Sequence, residues 1–397
     1  MILGPVSYLD CIVFCLLLAP QLIWHVGLFE TTFCALTALP FLVLKAPLSF
    51  IYERYLIPRQ RQSSFVQRSS PFEDFVIRCV RYSFANISPR IGRVFFSRQV
   101  ALPFLRWRML RHGYLNPPIH WEAYEDELFK GVWIIREPRC QPDLVLLYAH
   151  GGGFAMGSSY FYLEFLLAWL SMLSEAGYKN PAIFALEYTL VPDASFPTQL
   201  RETVAAYRHV VALARDPSIM CLGGDSAGGT LILSLMLYLA DGDDQSEKPA
   251  LALLISPWVT LDSPRHQNNT SDYLDAFTLQ RYGEQYAGAE VHIGNPVLSP
   301  GSCRDMGWWR KASPTKGIFI TYGAEEVFEP EIKDFAHLLH KAGVAVKSEE
   351  EPGGIHAWPV ASLFLSSSVD QRFKGLRSLV NTIRESVPPQ ERKGTLG

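Results

Sequence analysis

Two uncharged apolar runs open the chain. Cys11 to Phe29 carries no charged side chain over 19 residues, and Thr31 to Leu44 none over a further 14. The first is long enough to cross a bilayer, whereas the second reaches that length only by running past Lys45 toward Ile51. Pro20 and Pro40 lie inside these runs, and prolines are better tolerated in a membrane helix than in a soluble one. No Lys or Arg precedes the first run, which argues against a cleaved signal peptide. The pattern predicts an uncleaved membrane anchor over 1–51, either a span or a hairpin inserted in one leaflet.

Beyond the anchor, Phe72, Phe75, Val76, Val80 and Phe84 recur at helical spacing. They predict an amphipathic helix that lies on a membrane or roofs a pocket, within a region covering 52–118. From about Ile119 short apolar runs alternate with helical segments. Strands are predicted over Ile119–Tyr124, Gly131–Arg136, Leu144–His150, Ala182–Tyr188, Ile219–Gly223, Leu251–Ile255, Gly317–Tyr322 and Val344–Glu349. Helices fall between them, and a last one is expected over Ala357–Ile383. This alternation predicts an α/β fold with a mainly parallel central sheet and helices on both faces, over 119–386. Asp262–Ala312 reads as an irregular insertion that caps the sheet, and 387–397 as a frayed polar tail.

Charge sharpens this division. The 397 residues sum to −3, but Lys45 to His112 holds Lys45 and twelve arginines against Glu53, Glu73 and Asp74, a local +10. Basic residues directly after an apolar anchor are expected against anionic headgroups, so a membrane lipid is the expected partner and nucleic acid is not. The seven cysteines form neither a disulfide framework nor a metal-binding spacing.

Chemistry concentrates in two glycine-rich turns. Gly224-Asp225-Ser226-Ala227-Gly228 follows a predicted strand and opens a predicted helix, the context in which a G-x-S-x-G turn lifts a serine hydroxyl clear of the backbone. His150-Gly151-Gly152-Gly153-Phe154 ends another predicted strand. Backbone amides of such a loop can face a developing oxyanion where side chains would block approach. Gly152, Gly153 and Ala227 are the candidate oxyanion-hole donors, and His150 is a loop organiser. His356 follows the last predicted strand and is the candidate base, whereas His337 and His340 fall inside a predicted helix.

Together these motifs resemble the hormone-sensitive-lipase-like branch of the α/β-hydrolase family. Tyr188-Thr-Leu-Val-Pro-Asp-Ala-Ser-Phe-Pro197, Ser256-Pro257-Trp258 and Asn295-Pro296-Val297-Leu298-Ser299-Pro300 are similar to further segments of that branch. The resemblance spans roughly Trp121 to Phe364 and implies a Ser, acid, His order of catalytic residues with no cofactor and no metal. Where the family has Asp, this chain has Tyr322-Gly-Ala-Glu-Glu-Val-Phe328. Ungapped counting from Gly323 selects Glu325, while matching Val327 and Phe328 to the apolar part of the family's loop selects Glu326. Glu326 is preferred, which leaves Glu325 solvated.

The implied activity is serine carboxylester hydrolysis of an apolar small-molecule ester, with acyl transfer and a non-hydrolytic binding role as alternatives. A narrower resemblance to fungal membrane-anchored esterases of the steryl acetyl hydrolase type implies an endoplasmic-reticulum membrane location. The insertion and the amphipathic region before Ile119 are the expected roof of the site, and the insertion's aromatics Tyr273, Phe277, Tyr282, Tyr286, Trp308 and Trp309 suggest an apolar, lipid-like or terpenoid ester.

Overall fold

A computed structural model describes residues 1–242 and 248–389. Two apolar helices come first: α1 (Tyr8–His25), then α2 (Leu28–Pro40) and α3 (Ala46–Ile51), which π-helical turns join into one continuous helix Leu28–Leu56. The short α4 (Ser64–Arg68), then α5 (Pro71–Asn86) and the basic helices α6 (Pro89–Phe96) and α7 (Arg98–Arg111) follow. Ser70 starts α5 through a reciprocal capping box with Glu73, and Pro71 fits the first helical position because its missing N–H has no partner there to lose.

The body is one eight-stranded sheet in the order β1-β2-β4-β3-β5-β6-β7-β8. Its strands are β1 (His120–Glu125), β2 (Lys130–Ile135), β3 (Leu144–Ala149), β4 (Pro181–Glu187), β5 (Met220–Asp225), β6 (Leu251–Ile255), β7 (Ile318–Gly323) and β8 (Val346–Glu351). β1 and β2 pair antiparallel, as do β2 and β4, and the remaining neighbours are parallel. Every residue of β3, β5, β6 and β7 is buried, as expected of strands covered on both faces. The edge strands β1 (HWEAYE) and β8 (VKSEEE) carry the charge, which discourages pairing with another chain.

Helices cover both faces: α8 (Ser159–Glu175), α9 (Thr198–Ala214), α10 (Ala227–Asp241), α11 (Ala276–Ala287), α12 (Met306–Ala312), α13 (Glu329–Lys341), α14 (Trp358–Leu365) and α15 (Val369–Ser386). They enclose two apolar cores, one around α9, α10 and α13 and the other around α8 and α15.

Three expectations are corrected. The Asp262–Ala312 insertion is not wholly irregular, because Asp275 and Asp305 cap the helices α11 and α12 within it. The last helix is two, because Ser368 accepts a hydrogen bond from the Gln371 amide and restarts the helix after a break at Ser366. The tail does not fray at once: Val387 is buried and its carbonyl accepts from the Tyr178 hydroxyl. Residues 390–397 of that tail lie outside the described residues.

Candidate active site

β3 lies between β4 and β5, so the chain leaves its carboxyl end in one direction and that of β5 in the other. A crevice opens at such a switch point. The His150–Phe154 loop leaves β3 there, and Ser226 leaves the adjacent β5. Ser226 takes φ 52 and ψ −121, a backbone shape that L-residues avoid, and its side chain stands between strand and helix. Its backbone is held by Ser226 N–H to the Ile255 carbonyl at 3.0 Å and by the Trp258 and Thr230 amides, which donate to the Ser226 carbonyl at 3.1 and 3.2 Å. Gly228 is obligatory beside it, since a Cβ there would stand 2.0 Å from the Ala149 oxygen.

The β3 loop is equally constrained. Gly152 (φ 121) and Gly153 (φ 61) take left-handed backbone, and a Cβ on them would meet the Met156 oxygen at 2.1 Å and the Tyr282 ring at 2.7 Å. Among the described residues their amides donate to nothing in the chain. Ala227 is the first residue of α10, where amides also lack helical partners. His150 organises this loop from within: its Nδ1 lies 2.7 Å from the Gly151 carbonyl and its ring stacks on Tyr188 at 4.4 Å. Burial pulls its pKa down to about 4, so it stays neutral.

Asp225 couples the two turns. Its buried carboxylate accepts from the Gly151 amide at 2.9 Å, the Tyr148 hydroxyl at 2.7 Å and the Tyr162 hydroxyl at 2.6 Å. Burial raises its pKa, and these donors oppose the rise.

The remaining carboxyl ends of the sheet deliver Ser256 after β6, Glu326 after β7 and His356 after β8. Glu326 Oε2 accepts from Ser256 Oγ at 2.5 Å and from the Gly323 amide at 2.9 Å, which turns Oε1 toward His356 Nδ1 at 4.0 Å. Neither of these facing atoms has another partner among the described residues. They need approach by only about 1 Å to bond, and catalytic hydrogen bonds are often long before substrate binds. Burial pushes the Glu326 carboxyl up to about 8, and the bonds from Ser256 and Gly323 resist this. Burial lowers the His356 pKa, while Asp272 and Asp225 pull it back.

Glu325 is not solvated as expected. Its carboxylate accepts from the Ser64 amide at 2.8 Å, the Phe65 amide at 3.2 Å and the Ser271 hydroxyl. It therefore ties α4 to the insertion.

Asp272 is a buried residue that the motifs did not disclose. One oxygen accepts from the Val327 amide at 2.8 Å and the other from the His356 amide at 3.0 Å, so it clips the loop after β7 to the loop after β8. Ser256 does the same from below, donating to Glu326 and accepting from the Ala357 amide at 2.9 Å. Asp272→Ala leaves two buried amides unpaired and is expected to cost roughly 2–6 kcal/mol of stability, at about 1–3 kcal/mol for each orphaned group. Urea unfolding of the two proteins checks this.

The site is roofed. Ser226, Glu326 and His356 are each buried, with Tyr273 edge-on to His356 at 5.7 Å. Tyr282 of α11 sits against Gly153, and Phe84 of α5 packs edge-on against Tyr282 at 5.9 Å. Arg81 of α5 donates to the Asp272 and Thr270 carbonyls, both at 2.6 Å, and so fastens α5 to the insertion.

A fold with nucleophile-elbow geometry at its switch point defines an α/β hydrolase, and comparison with known proteins agrees. Residues 146–360 match the family model for the alpha/beta hydrolase fold. The chain belongs to this family. It is 32% identical over 233 residues to an acetyl-hydrolase of Streptomyces hygroscopicus, which covers 57% of this chain and 71% of that one. It is 29% identical over 268 residues to an ethyl acetate hydrolase of Pseudomonas putida, covering 64% and 78%. A putative steryl acetyl hydrolase of Schizosaccharomyces pombe is 25% identical over 258 residues, covering 60% and 67%. Among solved structures, an esterase of the bacterial hormone-sensitive lipase family shares the fold with a TM-score of 0.64 at 24% identity, covering 80% of this chain and 99% of that one.

Proposed function

We propose that this carboxylic ester hydrolase works through Ser226 as nucleophile, His356 as base and Glu326, not Glu325, as the acid that orients the base. The convergence of the Ser226 turn, the facing Glu326–His356 pair and the Gly152–Gly153 amides at one crevice carries the reading. Ser226 Oγ attacks the ester carbonyl as His356 takes its proton, and negative charge gathers on the former carbonyl oxygen. The amides of Gly152, Gly153 and Ala227 receive that charge. His356 then returns the proton to the leaving alcohol, and water repeats the sequence to free the acid. Glu326 holds the imidazole tautomer and balances the imidazolium.

The proposed substrate is an apolar ester with a short acyl group. The relatives named for acetyl, ethyl acetate and steryl acetyl hydrolysis support the acyl size, and the roof of Tyr273, Tyr282 and Phe84 supports an apolar partner. Residues 1–51 act as a membrane anchor, 52–118 as the membrane-side collar and 119–386 as the catalytic domain with its insertion over 262–312. The resemblance to membrane-anchored fungal esterases supports an endoplasmic-reticulum location.

The first residues support retention of α1. Leu3 is buried, Arg108 donates to the Gly4 carbonyl, and Asp10 is fully buried against Arg108 and Arg111. Arg108 also forms a two-pronged pair with Glu164, so loss of α1 would strip a partner from a buried charge network.

An ester panel on the purified protein, from p-nitrophenyl acetate to acetylated sterols, tests the reading. Release of free acid with competing alcohols and amines present supports hydrolysis, and capture of the acyl group by those acceptors overturns it.

A further inference from the structure

We infer that the two apolar helices do not cross the membrane but lie flat in one leaflet, so that the roof of the active site is pressed against the lipid. This rests on the membrane-anchored reading above and deepens it, because hydropathy alone fits a span equally well. The helix Leu28–Leu56 has the length and apolarity of a span, about 44 Å at 1.5 Å per residue. Yet one stripe of it is fastened to the body along nearly its whole length. Glu30 pairs with Arg90 at 3.0 Å, and the Thr37 carbonyl accepts from Tyr82 at 3.2 Å. Phe41 stacks on Tyr82 at 4.1 Å, and Phe50 packs against Phe75 at 5.9 Å. At the far end Glu53 pairs with Arg78 at 3.0 Å and Arg54 with Asp74 at 3.3 Å. As the numbers rise on the long helix they fall on α5 and α6, so the helices run antiparallel, side by side.

This fastening excludes a crossing. A helix that spanned the bilayer would carry α5, with Asp74, Arg78 and Arg81, into hydrocarbon beside it. It would also drag in the insertion that Arg81 holds and, through Phe84 and Tyr282, the oxyanion loop. Lys45 makes the same point independently. It is exposed among Leu42, Val43, Leu44 and Leu48, three residues from the middle of the helix at Leu42. In a span it would face lipid near the bilayer centre, whereas in a flat helix its long side chain reaches the headgroups.

The outer stripe shows what covers it. Leu36, Leu39, Leu44, Leu48, Tyr52 and Tyr55 are exposed on the long helix, and Ile12, Leu16, Ile23 and Trp24 on α1. An apolar surface this continuous is not left in water. Exposed Arg59 and Arg61 stand at the end of the long helix, placed for anionic headgroups. A helix lying in the interface plane buries its outward apolar surface about 5–10 Å into the leaflet. Helix α5 is then the wall shared by membrane and active site, because Tyr82 faces the long helix and Phe84 faces Tyr282. A lipid-dissolved ester meets the roof without crossing water.

The test is a depth profile of the full chain in phosphatidylcholine–phosphatidylserine vesicles. Nitroxide labels are placed singly at Leu36, Leu44, Leu48 and Tyr55 after Cys11, Cys15, Cys34, Cys79 and Cys140 are changed to Ala. Depth is read from collisions with oxygen against a water-soluble nickel chelate. Similar shallow depths at all four positions are the expected result. A profile that passes through the midplane near Leu44 and emerges at the far headgroups overturns the inference, as does the absence of lipid contact. In a second arm, Leu36→Glu with Leu48→Glu is expected to weaken vesicle binding at least tenfold while turnover of p-nitrophenyl acetate in detergent is unchanged, and undiminished binding overturns the inference. Since depth does not depend on turnover, a flat profile on a protein inactive toward every ester would sink the esterase reading alone.

Discussion

Replacing Ser226 by alanine is expected to lower kcat for ester turnover by about 10⁵-fold or more, with the fold intact. The side chain is small and stands at the crevice, so its loss leaves no cavity in either core. The oxyanion glycines remain, and residual catalysis of about 10³–10⁴ over water is the expected floor. A second change separates chemistry from folding. Ser226 holds φ 52 only because the Ile255 and Trp258 backbone bonds and the tight approach of Gly228 to Ala149 leave no other shape. Such a conformation costs about 1–3 kcal/mol, and glycine adopts it freely. Ser226→Gly is therefore expected to be as inactive as Ser226→Ala but more stable by roughly 1 kcal/mol. Paired kinetics and urea unfolding check both statements.

Glu326→Gln is expected to lower kcat by about 10³–10⁴-fold, while Glu325→Gln leaves kcat within a few fold. The amide keeps the volume of the carboxyl but cannot balance an imidazolium, and it can present its NH₂ to Nδ1 and impose the wrong tautomer. Among the described residues the Glu325 carboxylate bonds Ser64, Phe65 and Ser271, so its loss loosens the link between α4 and the insertion without touching the base.

The pH profile separates the two further. The reactive form is the Glu326–His356 pair without its last shared proton, and burial of Glu326 sets that loss near 8. Wild-type kcat/KM is expected to rise with pH through this step and level off above it. In Glu326→Gln only His356 titrates, and burial holds its pKa below the ordinary value of 6.5. The residual rate of that variant is expected to reach its plateau at lower pH than the wild type. An unchanged profile would assign the acid elsewhere.

How legible this site was in the sequence depended on whether each part is made locally. The turns at Ser226 and Gly152–Gly153 are written in consecutive glycines, because each needs a backbone that a side chain would obstruct within a few residues. His356 could be found from its place after the last strand of the sheet. Glu326 and Glu325 differ by one position, and only the donors around them separate the two: Ser256 and Gly323 for one, Ser64, Phe65 and Ser271 for the other. Asp272 and Asp225 left no comparable signal. The partners of Asp272 lie 55 and 84 residues away in the chain, and those of Asp225 lie 63 to 77 away.

The apolar N-terminus shows the opposite limit. Its hydropathy was plain, but a span and a surface helix have the same composition. The pairs Glu30–Arg90, Glu53–Arg78 and Arg54–Asp74 are what distinguish them, and they join residues 20 to 60 apart.

A serine at the centre of this machinery is most directly tested by covalent capture. The purified full chain is treated with a fluorophosphonate, and the adduct is located by peptide mass spectrometry. One adduct on Ser226, formed much more slowly in His356→Ala, is the expected result. An untouched Ser226 in folded protein, or labelling of another residue in its place, would contradict the assignment of Ser226 as nucleophile.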